Sequence, residues 1–152
     1  MIAINEKQSS LKIEKVDTID EKLIFQLNKI FDKGTVWNKT EGKKFISNKD
    51  SVLFLARLEN VIIGFLTAYR LQRFDKRKAE ILLYEIGVHK DHRRKGVGKA
   101  LIEKVKKWAF EVEADEIWVL TNTSNIEAMT LYNSAGGKKD IPGTTMFTYK
   151  IS

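Results

Sequence analysis

Glu85 is a carboxylate set among Leu83, Tyr84, Ile86 and Val88. An ionised carboxyl in an apolar run is expensive to bury without a partner. It can take a proton from an alkylammonium, directly or through water, or bind that cation. An alkylammonium with a pKa of about 10.4 is almost fully protonated at neutral pH, so its nitrogen can attack nothing until a base acts. Shortly downstream come Arg93, Arg94, Lys95, Gly96, Val97, Gly98 and Lys99. Here a basic, glycine-bearing loop runs into an amphipathic segment. The first N–H groups of a helix lack intrahelical partners, and the macrodipole adds positive charge there. Gly96 and Gly98 remove side chains that would keep an anion off the backbone. The four cations add formal charge, and the loop reads as a pyrophosphate cradle. Further on, Asn125, Ala128 and Tyr132 stand at i, i+3 and i+7, on one helix face. Ala128 leaves room beside it and Tyr132 carries a phenolic proton, although a tyrosine on a packed face is also an ordinary core residue.

These groups need elements to hold them. Residues 11–16 alternate apolar and polar, the strand period. Asp17 and Thr18 offer a helix cap, with Ile19, Leu23, Leu27, Ile30 and Phe31 at helical spacing and Gly34 as the stop. Residues 37–44 read as a polar connection near the acceptor, and 41–48 as one or two further turns. Residues 51–58 and 61–71 form a hairpin about Glu59 and Asn60. Gly64 inside it marks a close approach or a bulge. Residues 80–88 make the third strand of the meander. Leu101, Val105 and Trp108, widened by Ile102 and Ala109, give the helix after the loop an apolar stripe. Residues 116–120 are a strand. Ser124 with Glu127 suggests a capping box for the next helix, which stops at Gly136 and Gly137. The alternation over 145–151 predicts a last strand. The order is β-α-(α)-β-β-β-α-β-α-β, an α/β (α+β) chain in a single domain over 1–152, with 1–10 as a flexible leader.

The loop is not a Walker loop, since Gly-x-x-x-x-Gly-Lys-Ser/Thr is absent. Nor is it the dinucleotide fingerprint, which needs three glycines and an acid about 20 residues on. Arg93-Arg94-Lys95-Gly96-Val97-Gly98 instead resembles the signature of the GCN5-related N-acetyltransferases (GNAT), whose loop grips the pyrophosphate of acetyl-coenzyme A. The element order over 11–151 resembles that fold as well. The resemblance implies a mixed central sheet, splayed at the cofactor site and flanked by helices. It implies that a backbone N–H of the segment Ile86, Gly87, Val88 polarises the acetyl oxygen, with Gly87 relaxing the pleat into a nearby bulge. Asn125, Ala128 and Tyr132 match the family's Asn-x-x-Ala-x-x-x-Tyr pattern. There the alanine lies along the pantetheine arm and the tyrosine protonates the leaving thiolate. Glu85 is then the base, and Glu80 binds the acceptor or is structural. A narrower resemblance, over residues 68–96, is to the aminoglycoside 3-N-acetyltransferases. Their strand carries Glu at position 80 and Asp where this chain has Glu85.

Composition sets bounds. The chain has 152 residues, 43% hydrophobic and 31% charged, with no cysteine, so disulfides, thiolate metal sites and a cysteine nucleophile are excluded. His89 and His92 are too few for a histidine zinc site and read as exposed loop residues. No metal is expected. No apolar run approaches the roughly 18 residues of a membrane span, and the N-terminus lacks the pattern of a signal peptide. A cytoplasmic protein without membrane partners is expected. The net charge of +7 favours anionic partners. Arginine-rich arms and RNA-binding aromatic motifs are missing, so nucleic acid is disfavoured as a partner. The expectation is an acetyl-coenzyme A-dependent N-acetyltransferase acting on a small-molecule or peptide amine by direct attack, with an aminoglycoside as the lead acceptor and a homodimer left open. The alternatives are a protein or metabolite amine as acceptor, or a non-catalytic acyl-coenzyme A sensor of the same fold.

Overall fold

The structure is a computed structural model that describes residues 10–31, 36–140 and 142–151. Its centre is a five-stranded sheet in the order β1-β2-β3-β4-β5. The strands are β1 (Leu11–Lys15), β2 (Ser51–Leu58), β3 (Val61–Leu71), β4 (Ala79–Val88) and β5 (Ala114–Trp118). Neighbours are antiparallel from β1 to β4, and β4 and β5 are parallel. The sheet is therefore mixed, as expected.

The helices α1 (Glu21–Ile30) and α2 (Lys39–Ser47) precede the meander. One face of the sheet packs Leu53, Leu55 and Ile62 against Leu23, Ile24 and Leu27 of α1. The other face packs Val52, Phe54, Leu66, Ile81 and Leu83 against Leu101, Val105 and Trp108 of α3 (Val97–Glu111). Leu101 and Val105 are fully buried, each worth about 1.5–3 kcal/mol relative to exposure. The short α4 (Ile126–Ser134) lies beside α3. Lys106 Nζ donates to the Ala135 carbonyl at 2.8 Å and ties the two together.

Several boundaries differ from the sequence reading. The α1 cap is Asp20, whose Oδ1 accepts from the Leu23 N–H at 2.7 Å. Ile19 is buried just ahead of the helix rather than within it. Gly34 and residues 1–9 lie outside the described residues. The polar connection is largely α2, capped by Asn38, which accepts from the Glu41 N–H at 3.1 Å. Gly64 is indeed a close approach. A Cβ there would stand 3.2 Å from the Gly87 carbonyl oxygen and from Val97 Cγ1. Residues 145–151 form no strand and are exposed. Alternation is a side-chain pattern, whereas a strand also needs a backbone edge to pair with.

Candidate active site

The β3–β4 ladder pairs Ala68 with Leu83 and Thr67 with Glu85. Tyr84 has no residue opposite, so it is the extra residue of a β-bulge. A bulge reverses the alternation of a strand. Before it, Ile81 and Leu83 face the α3 core, and after it Ile86 and Val88 do. Tyr84, Glu85 and Gly87 all turn to the α1/α2 face, where Tyr84 meets Tyr69 and Gly87 meets Phe65. Glu85 thus reaches the surface instead of being trapped in the core. Its Oε2 accepts from the Thr67 hydroxyl at 3.4 Å, and no cation among the described residues is within ion-pair distance. The carboxylate is available to an amine.

The bulge was expected near Gly87 and lies at Tyr84. Gly87 is required for another reason: a Cβ there would overlap the Phe65 ring. Glu80 is less available than the sequence suggested. Arg73 Nη1 bonds its carboxylate and Lys76 Nζ stands 3.7 Å away.

The β4–β5 ladder runs from Ala79 and Ala114 to Leu82 and Trp118 and then stops. From Leu83 to Val88 the edge of β4 that faces β5 has no strand partner among the described residues. The two parallel strands part, and the freed backbone groups can hydrogen-bond an extended ligand.

At the end of β4 the chain makes a short 3₁₀ turn over Lys90–His92 and enters α3. Gly96 caps α3 at φ +83, a left-handed conformation that other residues adopt at a cost. A Cβ on Gly96 would meet nothing within 4 Å. The first backbone bond of the helix is Ala100 N–H to the Gly96 carbonyl at 3.0 Å. The N–H groups of Val97, Gly98 and Lys99 have no intrahelical acceptor. Arg94, Lys95 and Lys99 are exposed around this opening. Lys95 Nζ donates to the Asp91 carbonyl at 3.1 Å, and Arg94 has no ion pair among the described residues. Open space, free amides and exposed cations fit a diphosphate.

Two residues of the loop are engaged elsewhere. Arg93 Nε donates to the Val88 carbonyl at 3.0 Å, and Nη1 pairs with Glu127 at 3.2 Å. Its guanidinium clamps the end of β4 to α4. Gly98 is buried, and a Cβ there would come within 2.9 Å of Leu131 Cδ2. Its missing side chain lets α3 and α4 pack rather than admitting an anion.

α4 begins at Asn125, not at Ser124. Asn125 Oδ1 accepts from the Ala128 N–H at 3.1 Å, a cap worth about 1 kcal/mol. Glu127 is paired with Arg93, so the expected capping box is absent. Ala128 and Tyr132 are both half-buried, and Tyr132, like Ile86, Val88 and Leu131, packs against the core on the α3 side of the sheet. Burial pushes the Tyr132 phenol above its ordinary value of 10.0, which keeps its proton in place at neutral pH.

The family model described as "Acetyltransferase (GNAT) family" matches residues 20–136. The chain belongs to the GNAT family. Among curated proteins, it is 31% identical over 97 residues to N-acetyltransferase 8 of Homo sapiens, covering 64% of this chain and 43% of that one. It is 31% identical over 104 residues to the streptothricin acetyltransferase of Escherichia coli, covering 68% of this chain and 56% of that one. The chain therefore spans about half the length of these relatives. Among solved structures, an aminoglycoside acetyltransferase from an uncultured soil metagenomic sample, in complex with sisomicin, superposes with a TM-score of 0.81. It is 24% identical and covers 93% of this chain and 97% of that one. Aminoglycoside N-acetyltransferase AAC(6')-Iy in complex with CoA superposes at 0.79 with 18% identity, covering 95% and 97%. At these identities the likeness shows the GNAT fold. Within it, the end of the β4–β5 ladder at Leu82, the bulge at Tyr84 and the start of α3 at Val97 follow one another along the chain.

The sequence reading missed Thr67, Tyr69 and Phe45. Phe45 and Tyr69 rings lie 5.4 Å apart, and those of Tyr69 and Tyr84 5.5 Å apart, each pair edge to face. The one-residue slip at Tyr84, which sets Tyr84 and Glu85 together on the face of Tyr69, is invisible in the residue types.

Proposed function

We propose that this GNAT chain is an N-acetyltransferase that moves the acetyl group of acetyl-coenzyme A to a primary amine. The observation that carries the reading is the end of the β4–β5 ladder at Leu82 and Trp118, with Glu85 turned outward by the adjacent bulge. Val97, Gly98 and Lys99 amides, with Arg94 and Lys95, hold the pyrophosphate. The unpaired edge of β4 at Ile86, Gly87 and Val88 takes the pantetheine arm and polarises the thioester carbonyl. Asn125 and Ala128 border that arm.

The amine binds as its ammonium at Glu85, which takes one proton directly or through a water. The nitrogen lone pair then forms a bond to the thioester carbon. The carbon–sulfur bond breaks, and the thiolate receives the Tyr132 proton. The products are an amide and coenzyme A, with the amine's second proton passing through solvent to restore the phenol. No covalent enzyme intermediate is needed. A single domain and a cytoplasmic setting belong to the same reading, and the cysteine-free chain is compatible with a reducing compartment.

A second reading narrows the acceptor to the 3-amine of an aminoglycoside. The motif over residues 68–96 favours it; the structural neighbours support an aminoglycoside only as a class, one of them carrying a 6' designation. Calorimetry with coenzyme A, followed by thiol release from acetyl-coenzyme A across an amine panel that includes kanamycin, tests both. Absence of heat would sink the acetyl-transfer reading. Heat without thiol release for any amine would point to the sensor.

A further inference from the structure

The face beside Glu85 carries a specific surface. Phe45 of α2, Tyr69 of β3 and Tyr84 of β4 form a series of edge-to-face rings at 5.4 and 5.5 Å, with interplanar angles of 81° in both pairs. Tyr84 is 60% exposed, so its ring is open to a ligand. The bulge sets Tyr84 and Glu85 consecutively on one face, which a regular strand cannot do. Aromatic faces attract an ammonium and also pack against flat apolar groups.

Glu85 has no ion-pair partner among the described residues, whereas Glu80 of the same strand is engaged by Arg73 and Lys76. Glu85 is thus the carboxylate next to the exposed Tyr84 ring that an ammonium can reach. Tyr69 is held neutral, since burial first and then the charges of Tyr84 and Glu85 raise its phenol above the ordinary value.

We infer that the acceptor is an amine with an apolar or aromatic body, its ammonium held at Glu85 and its body laid on Tyr84 and Tyr69. This rests on the acetyl-transfer reading of the site and sets the acceptor apart from an aminoglycoside, whose body is hydroxylated sugar rather than a flat apolar group. Tyr84, Tyr69 and Phe45 are then specificity-determining residues for an aralkyl or alkyl amine.

The test compares 2-phenylethylamine, hexylamine and kanamycin as acceptors, with thiol release as the readout. Binding of 2-phenylethylamine to the coenzyme A-saturated chain is measured alongside by calorimetry. We expect kcat/KM for 2-phenylethylamine to exceed that for kanamycin by at least about tenfold. Tyr84→Leu should raise KM for 2-phenylethylamine about tenfold, the weight of a stacked cation–aromatic contact, and leave the dissociation constant of coenzyme A unchanged. A preference for kanamycin, or an unchanged KM in Tyr84→Leu, overturns the inference while leaving acetyl transfer intact. Lack of coenzyme A binding overturns both. If 2-phenylethylamine binds the coenzyme A complex and Tyr84→Leu abolishes that binding, the acceptor surface stands even without turnover. If it neither binds nor reacts, the inference fails.

Discussion

Gly87 faces Phe65 across the β3–β4 ladder so closely that a methyl group on Gly87 would overlap the ring. The ring has little freedom to move, because Phe31 and Trp37 meet it edge-on at 4.7 and 4.9 Å. Gly87→Ala should therefore overpack this corner and destabilise the fold by about 1–3 kcal/mol. The measurement is a urea titration, with a lower midpoint and an unchanged slope expected. A midpoint equal to that of the parent chain would show that the ring has another place to go.

Tyr132→Phe removes one hydroxyl from a half-buried ring. Turnover should fall by roughly 100-fold, the lower end of what a positioned general acid supplies. Affinity for coenzyme A should hardly change, since the ring still packs against the α3-side core. An unchanged kcat would take the acid role away from Tyr132.

The same phenol makes a pH prediction. Burial raises its folded pKa above the ordinary 10.0, so the folded chain favours the neutral form. The corresponding stability is complete below the unfolded pKa and is lost as pH rises from about 10 through the folded value. Tyr69, also raised, acts in the same direction. Melting temperature should fall above pH 10, and less steeply in Tyr132→Phe. Turnover should climb with pH as the amine deprotonates, with no fall from Tyr132 below about pH 10. An alkaline drop in rate near pH 8 that vanished in Tyr132→Phe would contradict the assigned direction.

Arg94 has no ion pair among the described residues and stands by the opening of α3. Arg94→Gln should weaken coenzyme A about tenfold, in line with loss of one charge-assisted hydrogen bond. The remaining affinity should depend less on salt. Calorimetry at two ionic strengths checks both statements. Equal affinity and equal salt dependence would place the diphosphate away from this loop.

Much of the scaffold was legible from local patterns. The hairpin over β2 and β3, the apolar stripe of α3, the glycine-bearing loop before it and the face shared by Ala128 and Tyr132 follow from periodicities of two and 3.6 along the chain. The cradle, too, is local: its amides and cations come from consecutive residues 94–99. Helix starts were less legible, because Asp17, Asp20, Ser124 and Asn125 are all good caps and only the surrounding packing chooses among them. The terminal alternation over 145–151 matched a strand in pattern and found no partner edge.

Residue order alone determined which groups exist and that Glu85 sits in an apolar strand beside a basic turn. Tertiary structure decided which way Glu85 points, that Glu80 is held by Arg73, that Arg93 clamps α4, and that Phe45, Tyr69 and Tyr84 form a wall. The reason is physical: a one-residue slip between β3 and β4 reverses every later side chain of the strand. That slip is a property of the pairing between two strands, which no single stretch of the chain contains.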